Sequence, residues 1–221
     1  MSTLAELRTR FYRRFDSGQA GYIGTAEANS LINEGARHLH NWVVSEAEYY
    51  IWKESVVPLV TGQSDYPLPL DFQKLLKVFV SSGQAISGAS PNWFPIARMM
   101  PQEFRGLNRI GCGQAYMMMG QTLRIMPLPA ANPGSIMLWY VPQYKDLVLD
   151  TDVSEVSNDP GWDEFIVNQA VIAARIKEES DTGALQDRQN QIMQMIQSSI
   201  INRDMGQRAR IVDVDQQSMP Y

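Results

Sequence analysis

Ten prolines, at positions 58, 67, 69, 91, 95, 101, 127, 129, 133 and 142, crowd one stretch of the chain, and Pro160 and Pro220 complete its 12. Proline removes a backbone donor and its ring clashes with the preceding turn, so no long helix can run through that stretch. The 221 residues therefore divide into a helical start, a middle of short strands and turns, and a helical end. A chain of this size buries roughly 70% of its unfolded surface, and neither a disulfide nor a metal is needed to fold it.

The start carries two helical signals. Thr3 followed by Glu6 makes a capping box, in which each side chain satisfies the other residue's amide. Leu4, Leu7, Phe11 and Phe15 then recur at helical spacing, and Asp16-Ser17-Gly18 ends the stripe. Thr25 is placed to cap a second helix with Glu27 near its positive end. Ile32, Ala36, Leu39, Val43, Ala47 and Tyr50 follow one another down one face.

In the proline-rich middle, β-prone runs stand at 51–57, 75–80, 115–119, 122–126 and 136–141. Gly120-Gln121 is a two-residue loop whose leading glycine suits a type II′ turn, so the strands on either side should pair antiparallel. A short helix is expected over 101–107, and a small antiparallel sheet or barrel overall. Helix returns at Asp159-Pro160, an N-cap followed by a proline suited to the first turn, with Asp163 and Glu164 complementing the dipole. Phe165 to Ala174 leaves little polar face, which marks a helix buried on most sides. A last helix over 182–205 carries Leu185, Ile192, Ile196 and Ile200 and stops at Gly206.

Strands grouped in the middle and helices at both ends read as α+β rather than as alternating βαβ units. The expected organisation is a bundle made by helices of 1–50 and 159–206, an inserted β-rich domain over 51–158, and an extended tail over 207–221.

Chemistry is harder to find. His38 and His40 are two apart, which separates them by about 200° on a helix, so one face cannot present both to a metal. Both are expected on a solvated surface. Cys112, the only cysteine, lies between Gly111 and Gly113 without the base that a catalytic thiol needs, and a lone cysteine fits a reducing compartment. No Gly-x-Ser-x-Gly, Walker loop or dinucleotide fingerprint occurs; Gly18, Gly21 and Gly24 read as a loop. The carboxylates Asp146, Asp150, Asp152, Glu155, Asp159, Asp163 and Glu164 lack the order of a calcium loop and read as a solvated linker with helix-start charges. No metal or cofactor is expected. Met117, Met118 and Met119 read as strand and hairpin packing.

The net charge of −5 lacks the basic surplus of a chain that grips phosphate. Arg10, Arg13 and Arg14 form the strongest basic cluster, either a solvated face or a contact with an acidic partner, a neighbouring subunit or DNA. Arg203, Arg208 and Arg210 form a looser one. No apolar run reaches the ~20 residues of a membrane span, and no secretion signal is read at the start.

The order of these segments resembles the head-to-tail connector, or adaptor, proteins of tailed bacteriophages. STLAELRTRFYRRFDS looks like the family's opening helix, and AEANSLINEGARHLHN like its second, where a leucine or isoleucine precedes an asparagine and small residues. YPLPLDFQKLLKVFV is similar to its turn into a strand, GQTLRIMPLP and SIMLWYVP to the hairpin and strand that follow, and PGWDEFIVNQAVIAARIKEE to the penultimate helix. Gly35 stands where alanine is expected, and it should weaken the second helix by about 1 kcal/mol.

The resemblance implies a structural virion protein with no catalytic role. It implies a homo-oligomeric ring of about twelve copies with a head-to-tail interface, placed in the virion neck after synthesis in the host cytoplasm. The ring would dock beneath the portal protein, offer a platform to the tail or nozzle protein, and let genome DNA pass without sequence-specific binding or membrane contact. Candidate contacts to the portal or a neighbouring subunit are Arg10, Arg13, Arg14, Arg208, Arg210, Met219, Pro220 and Tyr221. Gly111, Cys112, Gly113, Met118 and Gln121 are candidates to face the tail. A stopper or tail-completion ring is the nearest alternative. A virion-associated hydrolase, testable at Cys112 or Asp159, and a sequence-specific DNA binder belong to other classes.

Overall fold

A computed structural model describes residues 2–15, 22–81, 92–100, 114–129, 134–156 and 160–203. The expected helix over 101–107, Asp159, Gly206 and the 207–221 tail lie outside those residues. The class is α+β: the described residues hold helices α1 (Leu4–Phe15), α2 (Thr25–Glu46), α3 (Pro160–Lys177) and α4 (Gly183–Arg203), and eight strands in two sheets. The described residues form two compact units, one drawn from 1–39 and 146–203 and the other from 40–145.

In the first unit, the α1 stripe Leu4, Leu7, Phe11 and Phe15 is fully turned inward, as its spacing predicts. The capping box is formed: Thr3 N–H donates to Glu6 Oε2 at 3.1 Å, and Glu6 N–H donates to Thr3 Oγ1 at 3.3 Å. At the other end of the helix, the Arg175 guanidinium donates to the Phe15 carbonyl at 2.7 Å and lies over the Phe15 ring. Helix α2 starts one residue differently from expectation. Thr25 is its first residue, and the Gly24 carbonyl accepts the Ala28 amide at 2.9 Å. Ile32, Ala36, Leu39 and Val43 are buried, whereas Ala47 and Tyr50 fall in the turn beyond the helix.

Helix α3 is the centre of this unit. Trp162, Phe165, Ile166, Val167, Ala170, Val171 and Ala174 are buried, each large side chain contributing about 1.5–3 kcal/mol by leaving water. Ile192, Ile196 and Ile200 of α4 are buried too. A buried amide pair sets the register of α3 on α4: Asn168 Nδ2 donates to Gln189 Oε1 at 2.7 Å and to the Leu185 carbonyl at 3.0 Å. Helix α3 ends in a Schellman turn, with Ser180 N–H on the Arg175 carbonyl and Glu179 N–H on the Ile176 carbonyl. Glu179 takes φ +56°, a conformation that suits glycine. Glu179→Gly should therefore raise the stability by about 0.5–1 kcal/mol, read as a higher urea midpoint with unchanged slope.

The second unit holds the strands β1 (Lys53–Pro58), β2 (Asp65–Pro67), β3 (Phe72–Ser81), β4 (Trp93–Pro95), β5 (Ala97–Arg98), β6 (Ala115–Met119), β7 (Thr122–Met126) and β8 (Ser135–Pro142). In place of one small sheet or barrel there are two four-stranded sheets, ordered β1-β8-β3-β4 and β2-β7-β6-β5. All pairings are antiparallel except β5 with β6. The β6–β7 hairpin has the predicted register, Met119 opposite Thr122, and Gly120 takes φ +59° while Gln121 does not, the pattern of a II′ turn.

Strands β2, β4 and β5 escape a periodicity reading because they are only two or three residues long. Pro58, Pro67 and Pro95 end β1, β2 and β4, which are all edge strands, where a missing donor breaks no ladder. The two sheets share one core, including Tyr66, Leu68, Phe72, Val78, Val80, Leu123, Ile125, Ile136, Leu138 and Tyr140. The YPLPLDF segment closes it: the Tyr66 hydroxyl accepts the Val60 amide at 3.0 Å and donates to the Gln63 carbonyl at 3.0 Å, and Asp71 accepts the Tyr140 hydroxyl at 2.9 Å.

Candidate interaction surfaces

The acidic stretch after β8 is exposed at Asp146, Asp150 and Glu155, as a solvated reading expects, but it is a held turn rather than a free linker. Asn33 on α2 grips Leu147 from both sides: its Nδ2 donates to the Leu147 carbonyl at 2.9 Å, and its Oδ1 accepts the Leu147 amide at 2.8 Å. The Asp152 carboxylate accepts the amides of Val148 and Leu149, both at 2.9 Å. Asp146 pairs with Arg37 at 2.6 Å and Asp150 with Arg8 at 2.8 Å. The hydrogen bond and charge of Arg8 hold the Asp150 carboxyl below the ordinary carboxylate range. The Asp152 and Asp150 carbonyls in turn accept the Leu4 and Ala5 amides, so this turn completes the capping of α1. Among the described residues no group of three or more side chains is arranged to hold a metal ion.

Two side chains in that turn have no place in the fold. Val148 and Leu149 are 75% and 63% exposed. The sequence signal for them is a pair of adjacent large aliphatics within a polar, acidic turn.

The arginine cluster has two parts. Arg10 reaches Asp163 at 3.4 Å, and Asp163 also accepts the Ser2 hydroxyl. Arg14 and Arg188 both lie on Glu164 Oε1. Arg10 and Arg13 are both exposed, and among the described residues no acidic side chain lies against Arg13. Burial pushes the Glu164 carboxyl up, but the hydrogen bonds and charges of Arg14 and Arg188 together outweigh it and hold the group low. A lowered folded value contributes stability that is complete above the unfolded carboxylate pKa of about 4.3 and lost as pH falls through the folded one. Glu164→Gln should cost about 1–3 kcal/mol at neutral pH, and the gap to the wild-type chain should close below about pH 4. Denaturant titrations of both chains across pH 3–7 check this; a constant gap would refute it.

The remaining candidates are dispersed. Met118 is partly buried against the core of the two sheets, and Gln121 is exposed at the hairpin tip, its carbonyl accepting the Leu68 amide at 3.0 Å. Gly111, Cys112, Gly113, Arg208, Arg210, Met219, Pro220 and Tyr221 lie outside the described residues. The histidines correct one expectation. His38 is exposed, but His40 is 1% exposed with its ring 6.0 Å from that of Tyr144. The half-turn between them that keeps both off one face also sends one of them inward.

No helix among the described residues is long and apolar enough to cross a membrane. Compared with known proteins, residues 2–217 match the family model described as SU10 adaptor protein. No curated protein matches the chain.

Proposed function

The chain belongs to the SU10 adaptor protein family, and we propose on that premise that it is the head-to-tail adaptor of a tailed bacteriophage, a structural protein of the virion neck. The observation that carries the reading is the extent of the match, 2–217 of 221 residues, which takes in helices, sheets and most of the C-terminal segment alike. The way charge is used supports it. The carboxylates of the 146–152 turn and of the start of α3 are held by arginines and by backbone amides, as rigid scaffolding requires.

In this reading the copies form a ring beneath the portal, joining capsid to tail, and DNA passes through its centre. Arg13 and the C-terminal Arg208, Arg210, Met219, Pro220 and Tyr221 meet the portal or a neighbouring copy. The hairpin tip at Gln121, with Gly111, Cys112 and Gly113, meets the tail. The deciding experiment is the mass of the purified chain by light scattering, alone and with its portal. About twelve copies of the 25.0 kDa chain, roughly 300 kDa, either alone or on the portal, is the expected result. A monomer or small dimer indifferent to the portal would overturn the reading.

A further inference from the structure

Helix α4 turns two parallel rows of side chains inward, and in each row the residues stand four apart. One row is Leu185, Gln189 and Met193; the other is Ile192, Ile196 and Ile200. Gln189 and the three isoleucines are buried, and Leu185 and Met193 are partly buried. Asn190, Gln191, Gln194, Met195 and Ser198 are exposed on the other side. Rows of this spacing are the ridges by which helices interlock.

A ridge of period four superposes on itself when the helix moves by one turn. Moved about 6 Å towards its own start, α4 lays Ile196 in the place of Ile192, and Ile200 in the place of Ile196. Met193 takes the place of Gln189, and Gln189 that of Leu185. Apolar packing along most of the helix therefore hardly separates the two positions. At the far end Asp204 would follow into the place of Ile200, the one apolar site that the step fills with a charge. A step in the other direction is closed, because it carries Arg188 into the place of buried Ile192.

Polar contacts favour the observed position. Asn168 Nδ2 donates to Gln189 Oε1 and to the Leu185 carbonyl, and Gln189 Nε2 donates to Gln169 Oε1 at 3.2 Å. One turn away, the Gln189 carbonyl would stand in for that of Leu185, but the Met193 thioether is only a weak acceptor for Asn168. The Glu164–Arg188 ion pair would also go. Its arginine is 56% exposed and Glu164 keeps Arg14, so that loss is small. The amide layer is incomplete even as observed, since Asn168 Oδ1 is buried without a hydrogen-bond partner among the described residues. The connection from α3, residues 178–182, holds Glu179 at φ +56°, backbone strain of the kind that gathers at switch regions.

We propose that α4 is a two-position helix on α3, with the Asn168–Gln189 amide layer as the latch that holds the observed position. One-turn steps of one element past another are an established form of switching. The chain after Arg203 is carried with the helix, so release of the latch draws its root back by one turn. The latch belongs to the helical unit and does not depend on the ring reading.

The test moves the side-chain pattern by one turn in the full chain. Spin labels on Ile176→Cys and Gln194→Cys, both exposed sites, in a Cys112→Ser background report the position of α4 along α3 as a dipolar distance. The two helices run antiparallel, with Glu164 beside Arg188 and Asn168 beside Leu185, so the step brings the labels closer. Gln189→Leu, Met193→Gln and Asp204→Ile together repeat, four residues on, the order leucine, glutamine and three isoleucines. This triple variant should shorten the distance by roughly 5 Å and keep the helical circular dichroism of its parent. Gln189→Leu with Asp204→Ile removes the latch without rebuilding it, and should give both distances. The parent distance alone in both variants overturns the latch, because the rest of the helix then fixes its position. Loss of the helical signal in the triple variant overturns it too, because only one position then packs.

Discussion

Replacing Gly35 with alanine is expected to lower the stability of the chain by about 1–3 kcal/mol, although alanine is the better helix former by about 1 kcal/mol. Gly35 lies buried in α2 where that helix meets α3. A Cβ there would stand 2.8 Å from the Ile166 carbonyl oxygen and 3.4 Å from Gln169 Cβ. The carbonyl belongs to the backbone of α3 and cannot turn aside as a side chain would, so a methyl group forces the helices apart and opens gaps around Trp162 and Phe165. Gly35→Val should be worse than Gly35→Ala, because the intrusion grows. Urea midpoints of the three chains measure this, and an alanine variant as stable as the wild-type chain would show that the close approach is absent. The propensity cost expected from sequence stands, but the close approach outweighs it: the glycine is what permits α2 and α3 to touch.

Truncating Asn33 to alanine should cost about 2–3 kcal/mol, since it leaves both the amide and the carbonyl of buried Leu147 without their partner. Asn33→Asp tests the two halves separately, keeping the acceptor for the Leu147 amide and losing the donor, and should fall between alanine and the wild-type chain. Hydrogen exchange at the Leu147, Val148 and Leu149 amides gives a second readout. All three should lose protection together in Asn33→Ala if the asparagine holds the turn as one piece. Unchanged protection would mean that Asp152 and the arginines suffice.

The helices and the central hairpin were legible because their signals are local. The capping box and stripe of α1, the apolar run of α3 and the glycine of the β6–β7 turn all lie within a few residues of the structure they specify. The α+β class followed from their order. The extra strands were not legible, since two or three residues carry no usable period and are strands only because a neighbour pairs with them. His40 was misplaced for the same reason: a helix face is known from sequence, but which faces are covered depends on what packs there.

The candidate site divides the same way. The basic cluster of α1 and the acidic stretch after β8 were both visible as composition, and both were open to a solvated reading. What pairs them is distance along the chain: Arg8 with Asp150 across 142 residues, Arg10 with Asp163 across 153.

By itself the sequence determined the kinds of element, their order and their buried stripes, because propensity and periodicity act between residues three or four apart. Only the tertiary structure decided that Pro58, Pro67 and Pro95 end edge strands, that Gly35 is a contact point, that Arg8, Arg10 and Arg14 face carboxylates, and that Val148 and Leu149 are left outside. Those outcomes depend on which surfaces meet after the chain returns on itself, and local physics does not choose among the partners that a closed chain offers.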